Sequence, residues 1–118
     1  MNSTRIVDMA SAFYDSCVLF ASSDLGIFDC LNRTPGATAE TIAADLTLDP
    51  RGARLLLDAC VALGLLTKSD DTYANTPDSA TFLVSSSPAY LGGAIRYNRD
   101  VYPAWGKLTQ LAQTGSPV

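Results

Sequence analysis

The sequence predicts a mainly α fold: a winged helix-turn-helix with a small β-hairpin wing and extra helices at both ends. Three observations predict it. The opening segment repeats apolar residues at helical spacing. Two capped helical segments, the first short, follow across a three-residue turn. Two short β-prone runs joined by a polar tip come directly after them. The 118 residues allow one domain, which buries roughly 65% of the unfolded chain's surface on folding. Within it the pattern separates residues 1–31, 38–76 and 77–118.

Thr4 to about Ser22 reads as one long helix. Ile6, Ala10, Phe13, Cys17 and Phe20 form a stripe at alternating spacings of four and three. Val7, Tyr14, Val18, Ala21 and Leu25 form a second, and Asp8, Ser11, Asp15 and Ser22 leave one narrow polar line. A helix apolar on two of its three faces needs cover on both, and a domain this small covers one. A second chain or domain is the natural cover for the other. A short helix from Asp24 to Leu31 follows, ended by the turn chemistry of Asn32-Arg33-Thr34-Pro35-Gly36.

In the middle region Thr38 is positioned to cap a short helix through Leu46, with Glu40 in its first turn. Asp49 and Pro50 then stand at the N-cap and first position of a helix through Leu63, stopped by Gly64. Leu65–Ser69 and Thr72–Thr76, joined by Asp70-Asp71, read as the hairpin. Further on, Thr76-Pro77 and Ser87-Pro88 each predict a cap followed by a first-turn proline. The second opens a helix through Tyr97, with Gly92-Gly93 inside it. Pro103 opens the last helix, carrying Trp105, Leu108 and Leu111 and closed by Gly115-Ser116-Pro117.

Composition excludes several chemistries. Eight Lys+Arg against twelve Asp+Glu give a net charge of −4, and there is no histidine. A Ser-His-Asp or Cys-His site and a His-ligated metal are therefore impossible. Negative charge argues against nucleic acid and against anionic membranes, since both demand a positive field. In the would-be recognition helix only Arg51, Arg54 and Asp58 are polar, Arg54 and Asp58 at pairing distance, and the wing tip is acidic. Cys17, Cys30 and Cys60 are odd in number and set in apolar periodic segments, so they read as reduced, buried thiols of a cytoplasmic protein. No run reaches the ~18 apolar residues of a membrane span. No glycine-rich phosphate loop, paired nucleophile and base, or metal-ligand cluster occurs. One cluster remains, running from Tyr90 through Arg96-Tyr97-Asn98-Arg99-Asp100 to Tyr102 and Trp105. It suits either the wall of a pocket for a planar ligand or simple packing.

The ordered set Ala21–Leu31, Thr41–Leu46, Arg54–Leu66, Tyr73–Pro77, Trp105–Leu108 and Thr114–Pro117 resembles one known family. It is the N-terminal dimerisation domain of the S-adenosylmethionine-dependent O-methyltransferases of plant phenolics and bacterial polyketides. The resemblance implies a single dimerisation domain over 1–118 whose winged helix no longer reads DNA. It implies a homodimer clasped through Ile6, Ala10, Phe13, Tyr14, Cys17, Val18 and Phe20. It further implies a roof over a small aromatic acceptor, touched by Tyr97, Asn98 and Trp105 and by Phe13 and Cys17 of the first helix. S-adenosylmethionine belongs to the catalytic domain of the complete enzyme, supplied in cis or in trans. That domain's glycine-rich loop and histidine base are absent from these 118 residues, and the ending at Gly115–Val118 points to a trimmed chain. The alternative is an acidic winged-helix regulator that binds DNA or a small aromatic effector. A subunit with chemistry of its own ranks below both.

Overall fold

A computed structural model describes residues 1–117. Eight helices and three short strands follow in the order α1 (Thr4–Ser11), α2 (Phe13–Leu25), α3 (Ile27–Arg33), β1 (Ala37–Thr38), α4 (Ala39–Leu46), α5 (Pro50–Ala62), β2 (Leu66–Ser69), β3 (Thr72–Asn75), α6 (Pro77–Phe82), α7 (Gly92–Trp105) and α8 (Leu108–Thr114).

The opening helix is two pieces, α1 and α2, separated at Ala12, and it runs on to Leu25, beyond the Ser22 expected. Gly26 ends it in a left-handed conformation (φ 80°), which an L side chain adopts only with strain. The following helix therefore begins at Ile27 and not at Asp24. Its Ile27, Phe28, Cys30 and Leu31 are all buried.

Local chemistry sets the middle of the fold. Thr38 Oγ1 accepts the Thr41 amide at 3.2 Å to open α4, and Asp49 Oδ2 accepts the Gly52 amide at 2.7 Å to open α5 with Pro50 at its first position. Each such cap contributes about 1 kcal/mol. At the far end of α5, the Leu65 amide donates to Cys60 C=O (2.9 Å) and the Gly64 amide to Val61 C=O (3.1 Å). That is the paired closure a left-handed residue permits, here Gly64 at φ 77°. The hairpin β2–β3 forms as expected, with Asp70 left-handed at its tip. The sequence pattern gave no sign of β1, which pairs antiparallel with β3 and completes a sheet of order β1-β3-β2. The core lies between this sheet and α3, α4 and α5, around Phe28, Leu31, Ile42, Leu57, Leu66 and Tyr73.

The C-terminal third departs most from expectation. Thr76-Pro77 opens α6 as anticipated, with Thr76 Oγ1 accepting the Ser79 amide. Ser87-Pro88 opens no helix. Ser87 Oγ donates to Thr81 C=O (2.5 Å), its carbonyl closes a turn onto the Tyr90 amide, and α7 begins only at Gly92. Gly92 and Gly93 are thus the first two helical positions and carry no interior penalty. A Cβ on Gly92 would stand 1.9 Å from the Tyr90 ring, so that ring occupies the space a side chain needs. Pro103 lies inside α7 and does not open the last helix. It withholds one backbone donor just before the helix ends at Trp105, and α8 starts at Leu108. Gly115 closes α8 in the left-handed region, with its amide on Leu111 C=O. Val118, at the end of the expected closing segment, lies outside the described residues.

Candidate functional site: an apolar arm and the cleft beside it

α1 contains no buried residue. Ile6 (67%), Val7 (59%), Met9 (64%), Phe13 (46%) and Tyr14 (60%) stand exposed, and the Phe13 and Tyr14 rings meet edge to face at 4.6 Å. Ala10 is exposed as well, whereas Cys17, Val18 and Phe20 are half-buried and Val18 packs against the core. Within α2 the stripe residues Cys17, Val18, Phe20 and Ala21 are half-buried on the side where α3, α5 and α7 pack, and Leu25 is exposed. The one fully buried residue of α2 is Ser22, which the sequence pattern places on the polar line. The part of the stripes around α1 and the start of α2 is not covered. The whole chain exposes 7690 Å², against the ~6200 Å² that size scaling gives a compact monomer of its mass. Its radius of gyration is 16.6 Å, where ~13.5 Å describes a compact domain of this length. The excess area, on the order of 1500 Å², is ample for one side of a standard interface of about 800 Å².

α2 and α7 pack side by side, and a cleft of about 280 Å³ opens between them. α2 contributes Phe13, Ser16 and Phe20 to its wall, and α7 contributes Asn98, Tyr102 and Trp105. The Phe20 and Tyr102 rings lie edge to face at 6.1 Å. Asn98 Nδ2 donates back to Ala94 C=O at 2.8 Å, which leaves its carbonyl oxygen free to accept. Cys17 sits beside Tyr102, and its hydrogen bond and then its charge push the phenol above its ordinary value. The cleft therefore unites Phe13, Asn98 and Trp105 from the sequence-based set. Its lining includes neither Tyr97 nor Cys17. Sequence reasoning missed Ser16 and Phe20 as pocket residues, whereas Tyr102 already stood in the aromatic cluster. The spacing 98, 102, 105 on one helix and 13, 16, 20 on the other is the signal that would have found them.

On the face of α5 that a DNA reader would present, Arg54 and Asp58 are engaged internally, and Arg51 stands exposed. Arg54 pairs with Glu40 on α4, not with Asp58 as the spacing predicted. Asp58 Oδ1 instead accepts Tyr73 Oη at 2.6 Å and Lys68 Nζ at 3.0 Å, both on the wing. These bonds, the tyrosine first, hold the Asp58 carboxyl below the usual carboxylate range. The third wing contact is Lys68 over the Tyr73 ring at 5.2 Å. On the opposite side Cys30 Sγ donates to Asp45 Oδ2 at 3.2 Å and Arg33 pairs with the same oxygen. Burial first, then Asp45, pushes the Cys30 thiol up to about 11. Cys60 is raised too, chiefly by burial, and sits 3.0 Å from Ser22 Oγ in the core. Cys30 and Cys60 are the buried thiols expected, whereas Cys17 is only half-buried.

Among the described residues no group of three His, Cys, Asp or Glu could hold a metal, and no helix is long and apolar enough to cross a membrane. The cleft carries no ionisable acid and no glycine at which a nucleotide could approach the backbone.

A family model described as the O-methyltransferase dimerisation domain matches residues 7–85. The chain belongs to that family. This dimerisation domain is 38% identical over 112 residues to the tetracenomycin polyketide synthesis 8-O-methyl transferase TcmO of Streptomyces glaucescens, covering 93% of this chain and 33% of that protein. It is 37% identical to the N,N-dimethyltransferase OxyT of Streptomyces rimosus, at 93% and 32% coverage. Among solved structures, human N-acetylserotonin methyltransferase in complex with SAM superposes at a TM-score of 0.85, with 34% identity over 98% of this chain and 35% of that one. The dimerisation domain thus spans about a third of the length of the relatives it matches. With methyltransferases as relatives and Arg54 and Asp58 engaged internally, the DNA-binding regulator is set aside.

Proposed function

We propose that this chain is the dimerisation and acceptor-pocket lid module of an S-adenosylmethionine-dependent O-methyltransferase that acts on an aromatic or polyketide hydroxyl. It carries no catalytic group itself. The single observation behind the reading is the unburied apolar arm, with Ile6 and Met9 about two-thirds exposed, Tyr14 60% and Phe13 46%. Exposed apolar area contributes about 25 cal/mol per Å² when it is buried. A second copy presenting the same arm covers it symmetrically, as a two-fold interface requires. Ile6, Ala10, Phe13, Tyr14, Cys17, Val18 and Phe20 are the proposed contact set.

The lid's share of the chemistry is exclusion of water and the shape of an aromatic wall. Asn98 and Trp105, with Tyr97 nearby on the same helix and Phe13 and Cys17 from the first helices, are its proposed acceptor contacts. The catalytic domain, in cis or in trans, supplies the methyl donor and the base. Neither nucleic acid nor a membrane is a partner in this reading, and the setting is cytoplasmic.

Light scattering on the 118-residue chain tests the proposal. Wild type is expected to elute as a dimer, and Phe13→Asp/Tyr14→Asp as a monomer with unchanged helical circular dichroism. A wild-type chain that stays monomeric at ~100 µM, well above the Kd of an ordinary stable interface, would overturn it.

A further inference from the structure

Two helices of the chain contain no buried residue, α1 and α8. One apolar surface joins them. Ala12 and Phe13, where α1 passes into α2, face Val101 and Trp105 across the α2–α7 cleft. The same Val101 and Trp105 form a wall of a second groove of about 310 Å³ at the corner between α7 and α8, which Ala104, Leu108 and Leu111 continue. α8 carries no charged residue along its length.

The arm by itself is too small for a stable contact between two copies. Ile6, Val7, Met9, Phe13 and Tyr14 are each about half to two-thirds exposed, which at ~200 Å² per large side chain offers roughly 600 Å². Each partner in a standard interface buries about 800 Å². Leu108 is 50% and Leu111 37% exposed, with Ala104 exposed beside them. By the same measure they add on the order of 200 Å², the area that the arm lacks. A two-fold axis allows the match, because a patch of two unlike parts is covered when each part meets the other on the second copy. α1 suits the task, with Ile6 and Phe13 on one stripe and Val7 and Tyr14 on the next. A helix apolar on two sides can touch a second arm and a second groove at once.

We propose that the groove at the α7–α8 corner seats α1 of a second copy of this chain, so that two reciprocal arm-to-α8 contacts flank the arm-to-arm contact. The proposal rests on the dimer reading above and adds to it a surface, Leu108 and Leu111, that lies outside the arm. α8 is then held in place by the second copy as well as by its own chain.

Sedimentation velocity on the 118-residue chain measures the dimer constant, and Leu108→Glu/Leu111→Glu tests the groove. Kd is expected to rise at least tenfold with unchanged helical circular dichroism. Leu55→Glu, at a residue 58% exposed on α5, should leave Kd within about twofold, as a surface change away from the contact does. A second measurement locates the seat without disturbing it. A chain carrying Val7→p-benzoylphenylalanine is mixed with ¹⁵N-labelled wild type and irradiated, and mass spectrometry is expected to find light-to-heavy cross-links in the tryptic peptide that follows Lys107. A wild-type dimer whose cross-links fall only on the partner's first two helices, or whose Kd the α8 variant leaves unmoved, overturns the seat alone and leaves the groove to another domain. A wild-type monomer overturns the dimer reading and the seat with it.

Discussion

Asp58 is where the wing is fastened to α5, and removing its carboxylate has a calculable effect. Tyr73, the middle-strand residue it holds, is 1% exposed, so Asp58→Ala removes the acceptor of a phenol O–H at the edge of the core. That leaves a buried donor unpaired, at about 1–3 kcal/mol. The exposed Lys68 pair adds about 0–1 kcal/mol, so a total near 2 kcal/mol is expected. Unfolding entropy of about 2.1 cal/mol/K per residue converts 2 kcal/mol into a Tm fall of about 8 °C for a chain of this length. Tyr73→Phe removes the donor and leaves a carboxylate that water still reaches; it should cost about 1 kcal/mol. In the double variant the stranded hydroxyl no longer exists, so the costs should be sub-additive by about 1 kcal/mol. The pH dependence has a fixed sign. A carboxyl held below its ordinary range contributes stability above its unfolded value near pH 4 and loses it as pH falls through the lower folded value. The gap between wild type and Asp58→Ala should therefore narrow in strong acid. Urea unfolding at neutral pH and near pH 2, at one fixed protein concentration, measures all four quantities. Strictly additive single variants, or a gap that widens in acid, would refute the fastening role.

Three further outcomes are expected. Thr38→Ala and Asp49→Ala each lose a side-chain cap and should destabilise the chain by about 1 kcal/mol in the same urea assay. Thr47 ends α4 in the left-handed region at φ 58°, unusual for a β-branched residue, so Thr47→Gly should raise the urea midpoint by up to about 1 kcal/mol equivalent. Cys30 and Cys60, buried and raised, should resist iodoacetamide at pH 8 in the native chain and react once it is unfolded, as mass spectrometry of the alkylated peptides would show.

What was legible in the sequence was local. Thr38, Asp49-Pro50, Gly64 and Thr76-Pro77 act on backbone groups within three or four residues, and each sits where its chemistry placed it. Ser87-Pro88 has the same signature but opens no helix: Ser87 Oγ accepts the Ala89 amide and donates to Thr81 C=O, its carbonyl closes a turn onto the Tyr90 amide, and α7 starts only at Gly92. β1 is two residues long and gains its partner from β3, 34 positions along the chain, so no periodicity could announce it. The spacing of Arg54 and Asp58 suggested a pair that does not form, because each finds a partner on another element that packing brings close. The arm was visible as surplus apolar periodicity. The cleft was only half visible, since Tyr102 and Phe20 become neighbours only when α7 folds back across α2.

Hydrogen–deuterium exchange across a dilution series tests the central claim most directly, because it reports association and the surface involved together. If two copies clasp through the arm, amides of α1 and the first turns of α2 gain protection as concentration rises, while those of α5 and the wing do not change. Exchange in α1 that is fast and independent of concentration, alongside a protected core, would contradict it.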